Sequence, residues 1–390
     1  MNPHIGRRLR YGMVGGGPGA FIGGVHRMAA ALDGEWELVA GAFASCPERS
    51  REQGRVLGLD AGRVYGSYRE MAAAEAALGG DRRIEAVAVV TPNHLHHPVA
   101  TAFLNAGVHV VCDKPMTATP AEAEDLCLTV EASGLTFALT HNYTGYPMVR
   151  EARHQVRAGR LGTLRKVVAE YRQGWLSTRL EETGHRQAEW RQDRERAGRS
   201  SAVADIGSHV HHLVGYVTGL EIERVFADLS AQVPGRAMED DAGMLVRFAG
   251  GARGVFHVSQ VSAGEENGLA LGIYGEKAGL KWRQERPDRL ELLLPDAPGR
   301  TLTRGSPWLS AAARHATRLP PGHPEGFIEA FANIYRSAGR AIGAAVAGVE
   351  ADPLDRDFPD HLDGVRGMRF IDCVLRSHAR ERWTGVGAYP

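Results

Sequence analysis

The chain has 390 residues, 43% of them apolar, and its 46 lysines and arginines balance 46 aspartates and glutamates. That length and composition predict a globular protein of two domains, or three at most. A zero formal charge gives no electrostatic reason to expect nucleic acid or an anionic membrane as partner. No run of eighteen apolar residues is present to span a bilayer, and the basic start runs into a glycine-rich stretch rather than a signal sequence. The cysteines Cys46, Cys112, Cys127 and Cys373 lack metal-type spacing and read as reduced thiols of a cytoplasmic protein.

Leu9 to Val14 is predicted as a short buried strand, Gly15 to Ala20 as a turn, and Phe21 to Ala29 as the helix after it. Gly15, Gly17 and Ala20 fit the pattern G-x-G-x-x-G/A, with Gly19, Phe21 and Ile22 in the same turn. Such a turn needs residues without bulk, so that backbone N–H groups reach a pyrophosphate at a helix N-terminus. A lone glycine cluster is as often a flexible loop; the flanking strand and helix favour the dinucleotide reading. A second strand, Glu37 to Phe43, leads to a helix, Glu48 to Leu57. Ser45 stands where an acid would bind an adenosine ribose, and Arg49 and Arg51 nearby suit a 2′-phosphate. The same arginines equally suit a solvated helix face, so NAD and NADP both stay open.

Further along, Ile84 to Val90 reads as a buried strand ending in Thr91-Pro92-Asn93-His94-Leu95-His96. A helix over Pro98 to Asn105 follows, then a strand over Val108 to Cys112 that ends in Asp113-Lys114-Pro115. Pro120 to Ala132 is helical with Thr119 as N-cap, and Phe137 to Thr140 is an exit strand. Strands alternating with helices imply a doubly wound parallel sheet, an α/β Rossmann domain over residues 9–138 after a tail at 1–8. Ligands of such sheets lie beyond the carboxyl ends of the strands, where Gly15, Thr91, Asn93 and Lys114 fall.

Residues 139–390 are predicted as an α+β domain with a large, mainly antiparallel open sheet. Its strands are Leu164 to Tyr171, Glu223 to Ser230, Ala242 to Ala249, Ala252 to Val261 and Ala270 to Tyr274, with a hairpin turn at Ala249-Gly250-Gly251. The uncovered face of such a sheet suits a homodimer or homotetramer. Glu325 to Val346 and Asp360 to Ala379 are amphipathic helices, and 283–324, rich in Pro, Arg and Gly, is a long excursion. Asp205-Ile206-Gly207-Ser208-His209 is placed at the start of a helix running through His211 and His212. Asp205, His209 and His212 share one helix face by spacing. An imidazole beside a carboxylate is a candidate general base; a metal site of the same three residues is the competing reading.

Together these elements resemble the glucose–fructose oxidoreductase / inositol dehydrogenase / rhizopine catabolism family (Gfo/Idh/MocA). The resemblance rests on the glycine turn, Thr91-Pro92-Asn93-His94-Leu95-His96, Asp113-Lys114-Pro115 and Asp205-Ile206-Gly207-Ser208-His209, in that order. It implies a nicotinamide-dependent oxidation of a sugar, glycoside or polyol hydroxyl, or the reverse, with no metal. Lys114, His209 and Asp205 are then catalytic, with the proton acceptor either His209 or His212. Gly15, Gly17, Gly19, Ala20, Phe21, Ile22, Ser45, Arg49, Thr91, Pro92, Asn93, His96, Asp113 and Lys114 are expected at the cofactor. Asn142, Tyr143, Trp190, Arg191 and His212 join Lys114, Asp205 and His209 at the substrate. Trp190 and Tyr143 read equally as core packing.

The chain departs from the family at three places. Asp113 replaces a glutamate, His212 stands where many members have aspartate, and the longer glycine loop aligns the usual third glycine with Gly23. The segments 142–147, 187–193 and 322–326 are similar to a branch acting on pyranosides and anhydrosugars, of the levoglucosan dehydrogenase type. Two other functions stay in view: a redox-neutral glycoside-cleaving enzyme and a non-catalytic nucleotide or sugar sensor.

Overall fold

The computed structural model describes residues 1–387. The last three residues of the range 139–390 lie outside the described residues. The chain divides into two compact units, one of Met1–Asn142 with Phe331–Val365, the other of Tyr143–Ala330 with the chain from Arg366 onward.

The first unit contains β1 (Leu9–Gly15), α1 (Phe21–Leu32), β2 (Trp36–Ala42), α2 (Pro47–Val56), α3 (Tyr68–Ala77), β3 (Ala86–Val90), α4 (His96–Asn105), β4 (His109–Cys112), α5 (Pro120–Ser133) and β5 (Phe137–Leu139). The five strands are parallel, in the order β2-β1-β3-β4-β5. The chain leaves β1 toward one side and returns at β3 on the other, so the strand order reverses between them. That reversal opens a crevice at the strands' carboxyl ends. Val87, Val89 and Val110 have no exposed surface, and each such side chain contributes roughly 1.5–3 kcal/mol by burial. α5 starts with a capping box: Thr119 Oγ1 accepts from Glu122 N–H at 3.3 Å, and Glu122 Oε2 accepts from Thr119 N–H at 3.0 Å.

Two parts of this unit fall outside the range 9–138 predicted for it. The stretch 1–8 is not a tail: Asn2 is buried and its Nδ2 donates to Gly339 O at 2.8 Å. Phe331–Val365 also packs here rather than with the second region. Trp36 Nε1 donates to Tyr335 O at 3.1 Å, Arg340 donates to the Glu35 carboxylate at 2.8 Å, and Leu139 N–H donates to Pro359 O at 2.8 Å. These bonds give the returning segment more partners in the parallel-sheet unit than hydropathy alone reveals.

The second unit contains α6 (Pro147–Arg157), β6 (Leu164–Arg172), α7 (Arg186–Arg191), α8 (Arg194–Ala197), α9 (Ser208–Thr218), β7 (Ile222–Ser230), β8 (Asp241–Phe248), β9 (Arg253–Ser259), β10 (Gly268–Gly275), β11 (Gly279–Arg283), β12 (Arg289–Leu293), β13 (Arg300–Thr303) and α10 (Ala311–His315). The chain continues through α11 (Phe327–Ala347), α12 (His361–Ala379) and β14 (Thr384–Gly385). Nine strands form one sheet in the order β13-β12-β11-β10-β6-β9-β8-β7-β14. Every pairing is antiparallel except β6 with β9.

One face of this sheet is buried and the other open. On β8, Ala242, Met244, Val246 and Phe248 are buried, whereas Leu245 between them is 48% exposed. The hairpin at Ala249-Gly250-Gly251 is present, and both glycines have positive φ. The predicted excursion at 283–324 is instead partly sheet, since β12 and β13 extend the edge. Their exposed Arg and Thr positions dilute the apolar alternation that marks a strand. Among the described residues no helix is long and apolar enough to cross a membrane.

Candidate active site

The first unit builds its ligand edge mainly from backbone. After β1 the chain turns through Gly15, Gly16 and Gly19, all at positive φ. A Cβ on Gly15 would lie 2.6 Å from Val90 O, and one on Gly17 would lie 2.6 Å from Phe43 O. The tightest approach is between the loop and α1: a Cβ on Gly23 would lie 2.4 Å from Gly16 Cα. Gly23 rather than Ala20 therefore makes the close helix contact, and Ala20 is the N-cap of α1. No side chain caps α1 and no acid lies in its first turn, an arrangement that suits an anion at this helix end. Phe21 is exposed there and Ile22 half-buried.

Thr91 follows β3, and its Oγ1 is buried without a hydrogen-bond partner among the described residues. Pro92 leads into a one-turn helix that buries Asn93. Past β2, Ser45 and Arg49 are exposed, and Arg51 pairs with Glu48 at 2.9 Å. The bulk-free cradle, the uncapped helix start and the orphaned Thr91 hydroxyl suit a dinucleotide with its pyrophosphate at α1.

Lys114 follows β4, half-buried, in a cis peptide with Pro115. Asp113 holds this corner: its Oδ1 accepts from Lys114 N–H at 3.0 Å and from Thr140 Oγ1 at 2.9 Å. His26 Nε2 lies 3.8 Å from the same oxygen, and His26 Nδ1 meets Tyr335 OH at 2.7 Å. Burial opposes ionisation of Asp113, but His26, Lys114 and His96 together hold its carboxyl well below the usual carboxylate range.

His96, expected at the cofactor, has both ring nitrogens bonded to main chain. Its Nδ1 lies 2.8 Å from Pro115 O and its Nε2 2.8 Å from Thr91 O. Burial disfavours its charged form, while Asp113 and the two carbonyls act the other way. The ring ties the end of β3 to the end of β4 and shapes the edge without lining it.

The second unit builds a cluster from side chains. A π-helical turn, Val203–Gly207, runs into α9 and carries Asp205. This widened turn replaces the ordinary helix start expected there. Asp205 Oδ2 accepts from Arg191 Nε at 3.1 Å and from Gln260 Nε2 at 2.9 Å. The Arg191 guanidinium lies 4.4 Å over the Trp190 ring. Trp190 is only half-buried, so it walls Arg191 rather than filling a core.

His209 is 7% exposed and meets the ring of Tyr143 edge-on at 4.7 Å. Tyr143 OH bonds Tyr171 OH at 2.5 Å, Tyr171 OH donates to Asn267 Oδ1 at 2.6 Å, and Asn267 Nδ2 donates to Tyr143 OH at 3.3 Å. Burial raises the pKa of both phenols, which keeps them neutral donors. His212 is buried one turn on, stacked with Tyr216. Asn142, at the end of the first unit, buries an Nδ2 that meets no acceptor among the described residues.

Tyr171, Gln260, Asn267 and Glu239 join this cluster without having been singled out in the sequence. Glu239 Oε1 accepts from Ser200 Oγ, Ser201 N–H and Val203 N–H at 2.6–3.1 Å, which anchors the π-helical turn. Tyr171 had one signal, the inward phase of β6; the others come from strand ends and loops without periodicity. Among the described residues, Asp205, His209 and His212 do not gather their ligating atoms within 4.8 Å, so the competing metal reading of those three finds no cluster there.

Two family models match the chain: an oxidoreductase family with an NAD-binding Rossmann fold over residues 9–141, and a GFO/IDH/MocA C-terminal domain over 149–281. A crystal structure of an oxidoreductase from Sinorhizobium meliloti is 46% identical, with a TM-score of 0.86 over 97% of this chain and 99% of that one. An inositol dehydrogenase homologue from Azotobacter vinelandii, complexed with NADH and myo-inositol, is 34% identical, with a TM-score of 0.89 over 98% of each chain. Levoglucosan dehydrogenase of Pseudarthrobacter phenanthrenivorans is 25% identical over 97% of this chain and 98% of that protein. With both of its domains matched and its glycine cradle formed, the chain belongs to the GFO/IDH/MocA oxidoreductases, which carry an NAD-binding Rossmann domain.

Proposed function

We propose that this protein oxidises a ring hydroxyl of a sugar, glycoside or polyol to a ketone, or runs the reverse reduction, with NAD or NADP. The observation that carries the proposal is the glycine cradle leading into an uncapped α1, with Lys114 on the same edge of the sheet. The bound nicotinamide supplies the two-electron chemistry. Gly15, Gly17, Gly19 and the first turn of α1 hold the pyrophosphate, with Thr91 and Asn93 beside it. Lys114 donates a hydrogen bond to the reacting oxygen and stabilises its developing negative charge. Asp113 fixes the backbone of Lys114 and keeps a counter-charge next to it. His209 takes the hydroxyl proton as general base. Asp205, held by Arg191 and Gln260, binds a neighbouring hydroxyl. Tyr143, Trp190, Arg191 and His212 line the sugar, and Asn142 offers a donor.

Named relatives act on inositol or levoglucosan, which supports a cyclic polyhydroxylated substrate. We further propose a cytoplasmic homodimer or homotetramer, with subunits meeting on the open sheet face around Val168 and Leu245, 38% and 48% exposed. The test is absorbance of reduced nicotinamide while glucosides, anhydrosugars, free hexoses and inositols are screened with NAD and NADP separately. A rise with one sugar class is expected, and the cofactor that supports it resolves the role of Ser45 and Arg49. Nucleotide binding without turnover on any pair would sink the dehydrogenase in favour of a redox-neutral hydrolase or a sensor.

A further inference from the structure

The scattered cysteines lack metal spacing along the chain, but the fold of the first unit gathers one of them with two other ligands. Cys127 Sγ, a Glu131 carboxylate oxygen and a His361 ring nitrogen lie within 4.8 Å of one another. Cys127 and Glu131 are four apart on α5 and so share a helix face; the Sγ already lies 3.8 Å from Glu131 Oε1. His361 is the first residue of α12. Its backbone is fixed by Asp360, whose Oδ1 accepts from Leu362 and Asp363 N–H, while Asp363 Oδ2 accepts from Asp360 N–H.

We propose that Cys127, Glu131 and His361 bind a thiophilic divalent cation, zinc by preference, as a staple between α5 and the start of α12. Thiolate, imidazole and carboxylate are the ligand types zinc takes, and a tetrahedral ion with its usual bond lengths holds ligands about 3.5 Å apart. Closing the cluster therefore needs only small side-chain rotations. Binding releases the thiol proton to solvent: the Cys127 S–H bond breaks and an S–Zn bond forms, with no change of oxidation state. The thiolate and the carboxylate then supply two negative charges to a dication, and water completes the fourth position. Cys127 is buried, whereas Glu131 is exposed and His361 half-exposed, so the cluster is open to solvent on the Glu131 side. The staple lies apart from the glycine cradle and from Lys114 in sequence and in role, so it acts on the stability of the first unit rather than on the proposed chemistry.

The test is calorimetric titration of the full chain, stripped with chelator, by zinc sulfate, alongside cobalt(II) absorbance. One ion per chain is expected, with a thiolate-to-cobalt charge-transfer band and a raised Tm. Cys127→Ser and His361→Ala should each weaken binding by more than about tenfold, with the band lost in the first. Glu131→Gln, at an exposed position, should weaken it too, and keeps the test decisive if a less exposed substitution unfolds the chain. His209→Ala should leave zinc affinity unchanged. Absence of binding at micromolar zinc, a cobalt complex without the thiolate band, or loss of binding in His209→Ala instead would overturn the proposal.

Discussion

In the first unit the ligand edge is mostly main chain: glycines at positive φ, free amides of α1 and a corner held by Asp113. In the second unit the corresponding cluster is mostly side chain, with Tyr143, Tyr171, Asn267, Gln260 and Asp205 arriving from a loop, β6, the segment before β10, the end of β9 and a π-helical turn. A backbone cradle recognises what every dinucleotide has in common and tolerates little change in residue size. A side-chain network sets which hydroxyl is presented and can be retuned one residue at a time. Under the proposed function, the contrast assigns the cofactor class to the first unit and the choice of substrate to the second.

Substitutions can pull these two contributions apart. The largest effect is expected from Lys114→Ala and His209→Ala, each lowering turnover by roughly 10²–10⁴ while nucleotide affinity by calorimetry stays near that of the parent protein. Wild-type-like turnover in both would remove the assigned roles. Next is Gly23→Val, which forces side-chain atoms into the Gly16 backbone. Nucleotide binding should fall by more than about a hundredfold, about 2.7 kcal/mol, with a lowered Tm. Unchanged binding would mean that the cradle is not the cofactor site.

A smaller effect concerns the sheet beneath the cradle. His109 on β4 is buried and accepts from Thr136 N–H through Nδ1 at 2.9 Å. Burial lowers its pKa from 6.5 to about 4. A folded-state value below the unfolded one means that the unfolded chain binds the proton first. His109 therefore destabilises the fold as pH drops from about 6.5 toward about 4, by on the order of 3 kcal/mol. His109→Gln keeps an acceptor but cannot titrate, so its denaturation midpoint should vary less with pH across that window. An equally steep profile would place the acid sensitivity elsewhere.

The same contrast explains what could be read from the chain. β1 to β5 were legible because buried parallel strands are continuous apolar runs, and their functional groups sit at fixed offsets from the strand ends. β6 to β10 were legible from alternation. β11, β12 and β13, toward one edge of that sheet, were not; on the last two, Arg289, Arg300 and Thr301 face solvent and interrupt the apolar alternation. The unit boundary inside α11 was illegible for another reason: an unbroken amphipathic helix carries no mark at residue 330. Lys114 and His209 could be singled out as candidates, but the bonding of Asp205 to Gln260 joins residues 55 apart with no local pattern.

The return of Phe331–Val365 to the first unit has a consequence for the order of events during synthesis. All five strands of the parallel sheet have been synthesised by Asn142, but Tyr335, the partner of His26 and Trp36, is made only after the intervening segment Tyr143–Ala330. At ordinary elongation rates that delay is roughly 10–40 s. Through that interval the segment Met1–Asn142 lacks the helix that covers His26 and Trp36, so the nascent chain offers chaperones a binding surface that the finished protein conceals.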